Sequence, residues 1–182
     1  MSDKTLIVGM GNLLYRDEGI GVHVIQAMEK MELPGHVELL DIGTSTMDLI
    51  SYLKEIKKLI VIDAMRAGGE PGTIYKCKPE DLLPKDKGPI SLHEIGLLET
   101  LGMAKKLGVE IDTVIVGVEP EIMDWGMELS EEVKKKLPTV IEAVLKANRF
   151  VSEYEAVLPA GLEIILPEIT VHKQNETIKL WS

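Results

Sequence analysis

The chain has a single cysteine, Cys77, which excludes an internal disulfide and cannot by itself build a thiolate metal site. Cys77 falls in a strand-like run and reads as a small buried side chain, not as a nucleophile. No apolar run approaches the roughly 20 residues that a membrane-spanning helix needs. The segment after Met1-Ser2-Asp3-Lys4 is too short and too rich in glycine for a signal peptide. Membrane insertion is therefore not expected, and a cytoplasmic location is. A basic excess is missing as well. The formal net charge of −10 leaves no surplus of cations to displace the counterions of nucleic acid, so no nucleic-acid partner is expected. An acidic protein draws basic segments of partners instead. Neither a G-x-S-x-G elbow nor an H-E-x-x-H helix occurs, and there is no internal repeat or low-complexity block.

At 182 residues, 45% apolar and 27% charged, the chain suits one globular core of ordinary size. Its organising stretch is Gly9-Met10-Gly11-Asn12-Leu13-Leu14-Tyr15-Arg16-Asp17-Glu18-Gly19-Ile20-Gly21. A strand over residues 5–8 leads into it, and apolar spacing over 22–31 predicts a helix after it. A second strand is expected over 37–42, ending near Asp41. Ser45 with Asp48 has the form of a capping box opening a helix through Leu53. Residues 59–62 are continuously apolar and β-branched, as in a strand buried on both faces, and end on Asp63. A glycine-rich loop over 66–72 precedes a short strand at 73–76, placed at the sheet edge. Ser91 and Glu94 form another capping-box pattern, which puts His93 in the first turn of a helix running to Lys106. A buried strand over 114–118 and a helix over 131–147 capped by Ser130 follow.

This alternation predicts an α/β fold: a three-layer, mainly parallel twisted sheet with helices on both faces. It occupies residues 1–150. Residues 151–182 change character. Strand-like runs at 162–171 and 177–180 around a polar turn predict a hairpin-like extension packed on or beside the core.

Ligands of open α/β sheets sit outside the carboxyl ends of the strands. Glu18 follows the first strand, Asp63 ends the third, and His93 opens a helix returning across the same end. With strand order 2-1-3 the three converge, offering two carboxylates and an imidazole to a borderline divalent ion such as zinc or nickel. The positive end of the helix dipole is expected to keep His93 neutral. Each residue also has a plainer reading: Glu18 as a helix-end charge, Asp63 as a turn acceptor, His93 as a capping or surface residue. Asp41 is a fourth carboxylate at the strand ends, able to meet a substrate or to form a turn before Gly43. His23 reads as structural, and His36 and His172 take no role. Gly9-Met10-Gly11 also begins a dinucleotide fingerprint, but Leu14 stands where its third glycine belongs.

The run from Gly9 to Gly21 resembles the G-x-G-N-x-x-x-x-D-E-G-x-G signature of the hydrogenase maturation endopeptidases. The likeness continues through Asp41 to Thr44, Val61 to Ala64 and Ser91-Leu92-His93, over residues 4–148. This chain has Asp41-Ile42-Gly43-Thr44 where that family commonly has Asp-Gly-Gly-Thr. The resemblance implies an aspartyl-type endopeptidase that removes a C-terminal peptide from the large-subunit precursor of a nickel-iron hydrogenase. It implies that the residues matching Glu18, Asp63 and His93 contact nickel, a cofactor supplied by the substrate, with Asp41 beside them. On this reading the glycines hold the backbone close to a protein substrate. A metal-sensing chaperone that does not cut, or a nucleotide-binding domain, are the other functions this pattern leaves open.

Overall fold

The computed structural model describes residues 4–82, 92–148, 170–173 and 176–179. Strands β1 (Thr5–Met10), β2 (Val37–Gly43), β3 (Lys58–Ala64), β4 (Ile74–Cys77), β5 (Asp112–Val118), β6 (Thr170–Lys173) and β7 (Glu176–Lys179) form one sheet in the order β2-β1-β3-β5-β4-β6-β7. The first four in that order run parallel, with Gly9 opposite both Asp41 and Ile62 and with Asp63 opposite Gly117. β1 thus lies between β2 and β3, the 2-1-3 arrangement that brings the ends of β1 and β3 together. β4 runs antiparallel to β5. It is not an edge strand as expected, because Tyr75 also pairs with Thr170 of β6, and β6 and β7 form an antiparallel hairpin. Residues 162–169 of the expected extension lie outside the described residues.

Among the described residues the α-helices are α1 (Ile20–Met28), α2 (Leu92–Lys106) and α3 (Glu131–Ala147). β1 and β3 are apolar almost throughout because both faces of the sheet are covered. On one face Ile7, Ile60, Ile62 and Val116 pack with Ile20, Val24 and Met28 of α1 and Val133, Val140 and Val144 of α3. On the other, Leu6, Val8, Leu59 and Val61 pack with Leu49 and Leu53 and with Leu97 and Ala104 of α2. Full burial of each such side chain is worth roughly 1.5–3 kcal/mol, so the two-sided strands are the strongest commitment in the fold. No helix among the described residues is long and apolar enough to cross a membrane.

Two helix starts differ from expectation. α1 begins earlier, directly after a 3-10 turn at Arg16–Gly19, so Glu18 lies in that turn. Residues Thr46–Ser51 form a 3-10 turn and not an α-helix; the Ser45 hydroxyl donates to Asp48 Oδ2 at 2.7 Å and makes no bond to a helix N–H. The capping box at Ser91 lies outside the described residues.

Candidate active site at the carboxyl ends of the strands

The glycines around Glu18 serve the protein's own packing. Gly11 has φ +133°, and a Cβ there would collide with the Glu18 carbonyl oxygen. A Cβ on Gly21 would strike the carbonyl oxygens of Met10 and Ile62, because α1 starts directly on the ends of β1 and β3. Both contacts are with this chain's own backbone. They let the Glu18 turn sit down on the sheet.

The neighbouring carboxylate holds that turn in place. Asp17 is fully buried. Its Oδ1 accepts the Ser130 N–H at 2.7 Å, and its Oδ2 accepts the N–H groups of Glu121 and Ile122 at 2.9 and 2.8 Å and the Ser130 hydroxyl at 2.8 Å. Ser130 therefore precedes α3 without capping it by its side chain, contrary to expectation. The acidic pair was the only sequence signal for Asp17, and it did not say which member turns inward. Glu119 is a second buried carboxylate that the pattern does not mark. It accepts the Tyr75 hydroxyl at 2.6 Å and the Ala67 and Gly69 N–H groups at 2.8 and 3.2 Å, anchoring the glycine-rich loop. Burial, and then the Glu119 carboxylate, push the Tyr75 phenol well above its ordinary value.

Asp63 and His93 meet. Asp63 is buried, and its Oδ1 accepts the Ala64 N–H at 2.9 Å and stands 3.6 Å from His93 Nδ1. Its Oδ2 is buried with no hydrogen-bond partner, a costly state for an acceptor. His93 is the second residue of α2, and α2 is seated by close contact between Gly96 and Thr46 and by the Thr100 hydroxyl on the Thr46 carbonyl at 3.3 Å. With Nδ1 turned to Asp63, Nε2 is the ring nitrogen left for a ligand. Burial raises the Asp63 pKa, and the ring pulls it back in part.

The His93 pKa is raised, first by its pairing with Asp63, with burial opposing and the charges of Asp63, Glu18 and Glu94 adding. This reverses the expectation drawn from the helix dipole: a carboxylate 3.6 Å away outweighs a fractional charge at a helix end. His93 should therefore titrate above the ordinary 6.5. In Asp63→Asn the ring loses its main cationic support, keeps its burial and should titrate lower. Histidine ring chemical shifts followed against pH check both; an unchanged titration in the variant would separate the pair.

Glu18 is half-buried and near enough for its charge to act on His93. Among the described residues, however, no three His, Cys, Asp or Glu side chains are arranged as a ready-made metal cluster. Asp41 is exposed and its Oδ1 accepts the Gly43 N–H at 2.8 Å, a turn in which Gly43 takes φ +50°. The Gly43 carbonyl in turn accepts the Gly11 N–H at 2.9 Å, so this turn braces the glycine loop. Ile42 packs on the core beside Leu6 and Leu49. His23 Nε2 lies 3.2 Å from the Met127 carbonyl. Cys77 is half-buried, and burial followed by the charges of Asp81 and Glu94 pushes its thiol up to about 12, which leaves it unsuited to nucleophilic work.

The family model described as hydrogenase maturation protease matches residues 22–147. A shorter match, to the phage tail protein X model over residues 135–175, begins within α3 and carries no argument. The chain is 36% identical over 151 residues to the hydrogenase expression/formation protein HupD of Rhizobium leguminosarum bv. viciae, covering 80% of this chain and 74% of that protein. It is 33% identical over 149 residues to the hydrogenase 2 maturation protease of Escherichia coli, covering 80% and 91%. The solved structure of the hydrogenase maturating endopeptidase HybD from E. coli superposes with a TM-score of 0.71 at 34% identity, over 80% of this chain and 92% of that one. On sequence and fold together, the chain belongs to the hydrogenase maturation protease family and is an endopeptidase.

Proposed function

We propose that this endopeptidase removes a C-terminal peptide from the large-subunit precursor of a nickel-iron hydrogenase once that precursor carries nickel, and that Glu18, Asp63 and His93 address the nickel. The observation that carries this reading is the buried, partnerless Oδ2 of Asp63 beside His93. A buried acceptor without a donor is expensive in the free protein and is satisfied when a cation is brought to it. Nickel so delivered supplies positive charge that polarises a carbonyl or a water.

The chain's own residues do the rest. Asp63 sets the tautomer and direction of the His93 ring, and Glu18 adds a carboxylate from the turn held by Asp17. Asp41 stands at the same end of the sheet, with one oxygen held by Gly43. On this reading the chemistry belongs to carboxylates and imidazole, the aspartyl-type reaction that the family resemblance implies. We place it in the cytoplasm.

The test is to mix the protein with nickel-loaded and nickel-free precursor and follow the precursor by mass spectrometry. Loss of a C-terminal peptide from the loaded form alone is expected. Equal cutting of both forms would remove nickel from the reading, and binding without cutting would make the protein a metal-sensing chaperone.

A further inference from the structure

One edge of the sheet is both long and open. β2 ends the strand order, and no described strand pairs with its outer side. Val37 lies opposite Thr5, whose N–H donates to the His36 carbonyl at 2.9 Å. In a parallel ladder this turns the backbone groups of every second residue towards β1 and leaves those of Leu39 and Asp41 facing outward. The strand also lacks the residues that usually blunt an edge. Val37 to Gly43 include no lysine, arginine or proline, whereas β7 at the far edge is four residues long, with Glu176 and Lys179 at its ends.

On one face of this edge lies a groove of about 520 Å³, lined by Leu40 and Ile42 of β2 and by Met47, Ile50 and Tyr52 of the turn that follows. Met47 is 52% exposed and Tyr52 40%, and the apolar side chains of β2 are only half-buried where those of β1 are buried throughout. The far wall is held in place, because the Thr46 carbonyl accepts the Thr100 hydroxyl of α2, the helix that carries His93. At its carboxyl end β2 reaches the candidate site: the Gly43 carbonyl accepts the Gly11 N–H at 2.9 Å, and Gly11 packs on the Glu18 backbone. An open ladder edge beside an apolar groove is complementary to an extended peptide, whose backbone continues the ladder and whose alternate side chains enter the groove. An endopeptidase has such a ligand in its own substrate. Pairing of two copies, β2 against β2, would cover the same edge and bring nothing to the strand ends.

We propose that the precursor adds a strand to β2: an extended segment next to the bond that is cut pairs its backbone with Leu39 and Asp41, sets alternate apolar side chains in the groove of Leu40, Ile42, Met47 and Tyr52, and turns over the strand ends towards Glu18. This rests on the function proposed above. The Leu39 and Asp41 N–H groups should then exchange with solvent at least about tenfold more slowly in the complex with nickel-loaded precursor than in the free protein, read residue by residue by hydrogen–deuterium exchange. Met47→Ser and Tyr52→Ala, both at exposed positions, should each weaken that complex about tenfold, measured by calorimetric titration. They should raise KM for cleavage with kcat little changed and leave the His93 titration where it is in the wild type. Tyr52→Phe should keep most of the affinity.

Cleavage of the loaded precursor with no added protection at Leu39 and Asp41 would overturn strand addition and leave the proposed function standing. So would unchanged affinity in both groove variants. Protection of the two amides that grows with protein concentration alone, and not with precursor, would also overturn it and make the edge a contact between copies. A wild-type protein that binds the loaded precursor and protects these amides but does not cut it overturns the proposed function and leaves strand addition standing. One that does not bind it at all overturns both.

Discussion

Asp63→Asn is expected to lower precursor cleavage by at least about 100-fold in kcat/KM, equivalent to about 2.7 kcal/mol of lost transition-state stabilisation, while leaving the fold intact. The substitution keeps the shape of the side chain and removes its charge. In the wild type that charge does two things: it holds the His93 ring at 3.6 Å, and it leaves Oδ2 as a buried acceptor without a partner. Neither is needed to close the sheet, because burial disfavours the ionised carboxylate in the first place. The asparagine should therefore cost little stability. His93→Ala and Glu18→Gln should show the same separation, with activity lost and the circular dichroism and melting temperature close to wild type. Measured against nickel-loaded precursor, full processing by all three variants would remove the site; loss of activity together with loss of fold would make these residues structural. A larger defect for Asp63 and His93 than for Glu18 is expected, because only the first two are in contact before substrate arrives.

Asp17→Ala should produce the opposite pattern. It leaves three backbone N–H groups and one hydroxyl without their acceptor in a fully buried position. At about 1–3 kcal/mol for each unsatisfied buried group, partly relieved by relaxation and entering water, a net loss of about 3–5 kcal/mol is expected. For a domain of this size that is a fall in melting temperature of roughly 10 °C or more. Asp17→Asn keeps one acceptor oxygen but turns an amide N–H towards existing donors, so it should fall between alanine and wild type. Thermal melts of the three proteins decide the order. A melting temperature within a degree or two of wild type for Asp17→Ala would mean that the 121–130 segment is held by its other contacts.

Both predictions turn on a distinction that the residues Asp17 and Glu18 illustrate well. Adjacent acids in one short turn part ways: Asp17 is anchored inside and Glu18 stays half-buried. Periodicity has little to say over four residues of 3-10 geometry, and the choice is made by partners more than 100 positions away in the chain. Ser130 shows the same effect from the other side. Its place before an apolar-patterned helix marks it as a cap, yet a buried carboxylate competes for its hydroxyl and wins. His93 shows it for electrostatics: its position in α2 predicts a neutral ring, and its neighbour in space supports a charged one.

What the amino-acid sequence determined by itself was the α/β architecture and its order of elements, because continuous β-branched runs such as Leu59 to Ile62 can be buried only as two-sided strands and the helices between them must then cover both faces. It also determined that Glu18, Asp63 and His93 lie towards one end of the sheet, since strand polarity follows from connectivity. Tertiary structure alone decided that Asp63 and His93 touch, that Asp17 is spent on the fold, and that the glycines clear room for Glu18, Met10 and Ile62 backbone. Each of those depends on contacts between residues far apart in the chain, whose energies are set by distance and burial and leave no period in the sequence.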